Sequence, residues 1–174
     1  MTSGNYYTYN WKLAEYFSAD LVPIAYSGKG MYKNCCDDGE TMPSYYLQTL
    51  ASKAYVYDWD FSLFKPDMLL INLGTNDMGK YAGEEWGKEF VATYVEFVQN
   101  ATSRYTEPLM PVFVGQGNMN NSDLLQNLLL SVIEEINATG GNAHYLDMRV
   151  SPVDGCGSHP GVLGNQAMFE AAKT

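Results

Sequence analysis

The sequence predicts one α/β domain built on a mainly parallel sheet. Three observations carry this. Residues 66–77, "PDMLLINLGTND", and 110–115, "MPVFVG", are apolar in continuous rather than alternating runs, as in strands buried on both faces. Residues 84–100 and 122–136 space bulky apolar side chains at helical intervals. Strands and helices alternate, which implies right-handed crossovers between parallel strands.

Each element follows from its local pattern. Residues 8–18, "TYNWKLAEYFS", space Trp11, Ala14, Tyr16 and Phe17 for a helix packed on a sheet. Residues 21–26, "LVPIAY", read as a short strand, and Pro23 points to an edge position. A loop-rich stretch follows, then a helix over 45–55, "YYLQTLASKAY". The strand in 66–77 starts after Pro66 and stops at Gly-Thr-Asn-Asp. Trp86, Phe90, Tyr94, Phe97 and Val98 mark the helix over 84–100. Ser122 is placed to cap a helix whose apolar face carries Leu124, Leu125, Leu128, Leu129, Val132, Ile133 and Ile136. "AHYLDM" (143–148) is the last strand and "GVLGNQAMFEAAK" (161–173) a terminal helix. No repeat or linker interrupts the chain, so residues 1–174 read as a single domain.

Composition narrows the partners. The chain has 174 residues, 46% of them apolar, and a net charge of −10. Its ten Lys and Arg do not cluster, which argues against nucleic acid and against an anionic membrane surface. No apolar run approaches the roughly 20 residues of a membrane span. No basic and apolar leader opens the chain. The Asn-x-Ser/Thr sequons at Asn100, Asn120 and Asn137, the acidity and the 14 tyrosines suit an extracellular or secretory-pathway protein. Three cysteines leave two readings open: three free thiols, or a bridge from Cys35 or Cys36 to Cys156. Their spacing is not that of a structural zinc site, and no metal or cofactor is expected.

Three loops at strand ends hold complementary chemistry: "SGKG" (27–30), "GTND" (74–77) and "DGCGSHPG" (154–161). In open α/β sheets the ligand site lies beyond the carboxyl ends of the strands. Glycines there expose backbone N–H groups, Asn76 adds a side-chain amide, and His159 adds a general base. Together they suit an acyl-transfer site with an oxyanion to stabilise. Singly, each has a plainer role: a turn, a helix cap and a surface histidine.

These residues resemble the SGNH (GDSL-like) hydrolase superfamily, and most closely the family 2 carbohydrate esterases. "WDFSLFKPDMLLINLGTNDM" resembles the third sequence block. "AYSGKGMYKN" with "DGETMPSYY" resembles the second block and its loop, and "DGCGSHPGVLGNQAMFEAA" the fifth block and closing helix. The resemblance spans essentially the whole chain. It implies a flavodoxin-like three-layer α/β/α fold with strand order 2-1-3-4-5. It also implies removal of O-acetyl groups from polysaccharides or small acyl esters, by a monomer, through a Ser–His dyad. Asn76 and a second-block glycine, Gly30 ahead of Gly28, would form the oxyanion hole. His159 would be the base, Asp77 would tie its loop down, and Tyr32, Tyr45 and Gly28 would face substrate.

The sequence departs from this pattern twice. The acid usually found three residues before the histidine is replaced by Cys156, leaving Asp154 as an auxiliary and the Ser158 carbonyl to orient the imidazole. No Gly-Asp-Ser nucleophile block is present. Ser3 has no strand before it, and Ser27 reads as a turn residue. The expectation is therefore a chain truncated past its nucleophile, lacking the central first strand and inactive alone. The competing readings are a non-catalytic carbohydrate-binding protein and a flavodoxin-like phosphate-binding domain. If the esterase reading holds, Gly30, Asn76 and His159 should line one cleft.

Overall fold

A computed structural model describes residues 5–50, 57–105, 109–150 and 153–173. Its sheet contains β1 (Leu69–Ile71), β2 (Val112–Gly117) and β3 (Ala143–Met148), all parallel, in the order β1-β2-β3. Leu69 pairs with Val112, and Val112 with Ala143, so the strands begin level and finish along one carboxyl edge. The helices are α1 (Tyr9–Phe17), α2 (Met42–Tyr46), α3 (Glu84–Ser103), α4 (Asp123–Ala138) and α5 (Val162–Ala172).

Side-chain alternation on β2 sorts the helices into layers. Val112 and Val114 face a core formed with Phe90, Tyr94 and Val98 of α3 and Leu125, Leu129, Val132 and Ile136 of α4. On the opposite face, Gly115 lies against Met148 and Gly117 against Met168 of α5. The approach is close: a Cβ on Gly115 would stand 2.7 Å from the Met148 methyl, which would have to turn aside. The result is the three-layer α/β/α arrangement. Each fully buried Val, Leu or Phe of the core contributes about 1.5–3 kcal/mol. Ser122 caps α4 as its sequence position predicts, its hydroxyl accepting the Leu125 N–H. Among the described residues no helix is long and apolar enough to cross a membrane.

Two expected elements differ. Residues 21–26 form no strand, and Val22, Ile24 and Tyr26 are exposed. A strand needs a neighbour for its N–H and C=O groups, and no described strand pairs with this segment. The helix expected over 45–55 is confined to α2. After it, Gln48 bridges Asp58 antiparallel, with the Thr49 N–H on the Tyr57 carbonyl and the Trp59 N–H on the Leu47 carbonyl. The remainder of that prediction, residues 51–55, lies outside the described residues, as does Ser3.

The cysteine bridge also differs. Cys35 is joined to Cys36, and Cys156 is free and exposed. The fifth-block loop is instead anchored by hydrogen bonds, described next.

Candidate active site

The second-block loop starts with a tight turn. The Lys29 N–H donates to the Tyr26 carbonyl at 3.3 Å, and Gly28 occupies the third turn position at φ +78°, which a type II turn requires. The Cys35 N–H then donates to the Gly28 carbonyl at 3.0 Å. Among the described residues, no acceptor takes the N–H of Gly28 itself.

Asn34 is the hub of this loop and is 3% exposed. Its Oδ1 accepts the Gly30 N–H at 3.1 Å. Its Nδ2 reaches Asp37 Oδ1 at 2.7 Å and the carbonyls of Gly39 and Glu40 at 3.0 and 3.1 Å. A buried amide must fill its polar valences, and this one does so within the loop. The ammonium of Lys29 is buried too, 2.9 Å from Asp37 Oδ1. It lies 5.5 and 5.4 Å from the ring centres of Tyr26 and Tyr45, which stack on each other 5.1 Å apart. The hydrogen bond from Lys29, helped by the Gly39 N–H, pulls the Asp37 carboxyl down to about 2. The same bond raises the Lys29 pKa against the effect of burial.

The loop after β1 grips this structure from below. Asp77 is fully buried, and its carboxylate accepts the N–H groups of Met31, Tyr32 and Lys33 at 3.0, 2.7 and 2.8 Å. Burial pushes the Asp77 carboxyl above its usual range, while these donors pull the other way. Asp77 thus ties the two loops together. Gly30 has to be glycine at this junction: a Cβ would stand 1.9 Å from the Lys33 carbonyl and 2.6 Å from Asp77 Oδ2. Beside it, Asn76 Nδ2 donates to the Lys29 carbonyl at 2.8 Å. One amide N–H is used there, and no described residue accepts the second.

The histidine loop has a separate anchor. Asp154 accepts the N–H groups of Gly161 and Gly164 on Oδ1, both at 2.8 Å, and of Leu163 on Oδ2 at 3.1 Å. It caps the start of α5. Desolvation raises its pKa, but these donors outweigh it and the carboxyl sits below its ordinary value. The carboxylate makes no hydrogen bond to the imidazole. His159 is exposed, with its N–H on the Cys156 carbonyl and its own carbonyl accepting from Gly155. Its ring is hydrogen-bonded to no described residue, the Ser158 carbonyl included. Immediately before it, Gly157 and Ser158 both adopt left-handed backbone, at φ 63° and 60°.

A relay joins this loop to the sheet edge. Asn72, just past β1, donates to the Tyr9 hydroxyl at 3.1 Å. The Tyr9 N–H donates to Asn165 Oδ1 at 3.0 Å, and Asn165 Nδ2 donates to the carbonyls of Pro160 and Gly161 at 3.1 and 2.8 Å. Gly30 and Asn76 are therefore brought together directly, while the relay ties the His159 loop to the end of β1.

The other expected residues are placed as follows. Tyr32 packs edge-on against Trp86 of α3. Tyr45 is buried, so the member of its stack that reaches solvent is Tyr26. The Gly30 N–H is taken by Asn34, and Gly28 carries the unengaged one. Sequence reasoning missed Asn34, the Lys29–Asp37 pair, Tyr9 and Asn165. The dense polar run "KNCCDDGE" directly after a glycine turn was a signal for the first two. Nothing in the sequence marks the relay.

Residues 10–172 match the profile of the GDSL-like lipase/acylhydrolase family, nearly the whole chain. The chain belongs to that family. Among its curated relatives is the "Acetylxylan esterase / glucomannan deacetylase" of Cellvibrio japonicus, 22% identical over 88% of this chain and 42% of that protein. Another is the "Cellulase/esterase CelE" of Acetivibrio thermocellus, 27% identical over 95% of this chain and 21% of that protein. The GDSL-like chain thus spans less than half the length of these relatives. Its fold matches a solved family two carbohydrate esterase from Clostridium thermocellum, in complex with cellohexaose. The TM-score is 0.87 at 25% identity, over 98% of this chain and 53% of that one.

Proposed function

We propose that this chain serves the hydrolysis of O-acetyl esters on polysaccharides. The observation that carries the reading is the pairing of two donors at one loop junction: the unspent Gly28 N–H and the second N–H of Asn76, held by the Lys29 carbonyl. The names of the relatives support the substrate class. In this reading a serine oxygen attacks the acetyl carbonyl and His159 accepts its proton. The two donors stabilise the oxyanion, and His159 returns the proton to the leaving sugar oxygen. Water then releases acetate from the acetyl-serine. Asp154 holds the histidine loop and does not touch the imidazole.

The sequence contains no Gly-Asp-Ser, and Ser27 sits within the turn that presents Gly28. The proposal is therefore that the 174 residues alone give no practical turnover. Acetate release from acetylated xylan and hydrolysis of p-nitrophenyl acetate test this. A strand ending in Gly-Asp-Ser placed ahead of α1 should give turnover that His159→Ala abolishes. Asn76→Ala in the same protein should cost about 10²–10³ in rate. Robust turnover from the short chain that survives His159→Ala would overturn the mechanism. The missing block also favours a second reading, a non-catalytic carbohydrate-binding protein. Saturable binding of cello- or xylo-oligosaccharides, with no acetate released even after the serine strand is supplied, would decide for it.

A further inference from the structure

We infer that the Cys35–Cys36 disulfide is a redox latch on the turn that presents Gly28, opened by a dithiol reductant attacking at Cys36. Four observations converge on it. The sulfur of Cys35 lies directly against Gly28, only 3.3 Å from where a Cβ on that glycine would stand. The Cys35 N–H holds the Gly28 carbonyl at 3.0 Å. The two residues flanking the disulfide are the ones that fix the turn: Asn34 holds the Gly30 N–H, and Asp37, one position beyond Cys36, holds the Lys29 ammonium. Finally, the two sulfurs differ in access, Cys35 being half-buried and Cys36 exposed. A reductant therefore meets Cys36 first.

Closure of the disulfide fixes the spacing of Asn34 and Asp37 by removing side-chain and backbone freedom between them. Opening it returns that freedom to the segment that holds both Lys29 and Gly30. The exchange balances as follows. A thiolate of the dithiol forms a bond to Cys36 Sγ, and the Cys35–Cys36 bond breaks. Cys35 leaves as a thiolate and takes a proton. The second thiol of the reductant, as its thiolate, then displaces Cys36, which also takes a proton, and the reductant departs as its cyclic disulfide. Two electrons pass from the dithiol to the cysteine pair. That the latch controls ester hydrolysis rests on the reading proposed above; that it controls the turn does not.

The test uses the 174-residue chain and reads lysine accessibility. Alkylation of denatured, unreduced protein should label Cys156 alone. Native protein is then treated with dithiothreitol and with acetic anhydride, and acetylation is followed by peptide mass. Lys29 should react about fivefold faster in reduced than in oxidised protein, as expected when a protected site opens locally, while exposed Lys88 is unchanged. Reoxidation should restore the protection. Cys35→Ser/Cys36→Ser should match the reduced protein without any reductant, and Cys156→Ser should behave as wild type. Should the double variant not fold, the reversible wild-type comparison decides alone. Three labelled thiols in unreduced protein, or equal Lys29 reactivity in both redox states, would overturn the latch. Neither outcome touches the esterase proposal, and absence of turnover leaves the lysine measurement intact.

Discussion

The side-chain oxygen of Asn165 on α5 accepts the main-chain N–H of Tyr9 at the start of α1, at 3.0 Å across 156 sequence positions. Its amide nitrogen holds the two carbonyls next to His159. One side chain thus fastens the first helix, the last helix and the histidine loop.

Asn165→Ala should accordingly destabilise the fold by about 1–3 kcal/mol, because it orphans the Tyr9 N–H and the Pro160 carbonyl, while the Gly161 carbonyl keeps the main-chain N–H of residue 165. Urea unfolding measures this. A change within about 0.5 kcal/mol of wild type, the usual range for a surface site, would show that the relay holds nothing.

Gly30→Ala should be severe, costing upwards of about 2 kcal/mol, because the added carbon meets backbone and a buried carboxylate, neither of which has room to move. Gly79→Ala is the control. Nothing lies within 4 Å of its Cβ position, so it should stay within about 0.5 kcal/mol of wild type. Thermal midpoints of the two variants should separate clearly.

The Lys29–Asp37 pair predicts an acid limb of stability. The Asp37 carboxyl sits at about 2 in the fold and near 3.9 in an unfolded chain. A depressed folded value means the contribution is complete above about pH 4 and is lost as pH falls towards 2. Asp37→Asn should flatten the stability profile in that window and leave the slope at neutral pH alone. Denaturant midpoints between pH 2 and 5 provide the check. Asp37 is exposed, so added salt should weaken the effect.

Ser158→Gly should stabilise the protein by about 0.5–1 kcal/mol. A left-handed backbone costs a non-glycine residue about 1–2 kcal/mol, and part of that gain is offset by the freer unfolded chain. A lowered melting temperature would mean the Ser158 side chain contributes more than its backbone costs.

The sequence announces what periodicity and capping encode. The strands at 69–71 and 143–148 and the Ser122 cap lie within predicted segments, and β2, α3 and α4 begin inside theirs and run two or three residues past them. Apolar pattern failed for 21–26 because a strand is defined by its neighbours, and a β-prone run without one stays outside the sheet. It failed for 47–50, the described part of the predicted 45–55 helix beyond α2, because there the backbone of Gln48 pairs antiparallel with Asp58 instead of continuing the helix. Asn76, Asp77 and the glycine turn were legible as loop residues because glycine and polar residues that close a continuous apolar run mark the end of a strand. Asn34 and Asn165 were not, because a side-chain amide bonding loop carbonyls has no preferred spacing. Cys36 paired with its neighbour and not with Cys156, an arrangement that residue types alone do not favour.

The grip of Asp77 on Met31, Tyr32 and Lys33 has a consequence for exchange between relatives. The loop over residues 28–40 is bound from the inside by an acid that belongs to the loop after β1. Transplanted alone, it would arrive with three unmet donors and would leave a bare carboxylate behind. Residues 28–40 and 74–77 therefore form one transferable cassette, divided by 33 positions of sequence. Chimeras that cut between the two should fail, and those that move both should keep their shape.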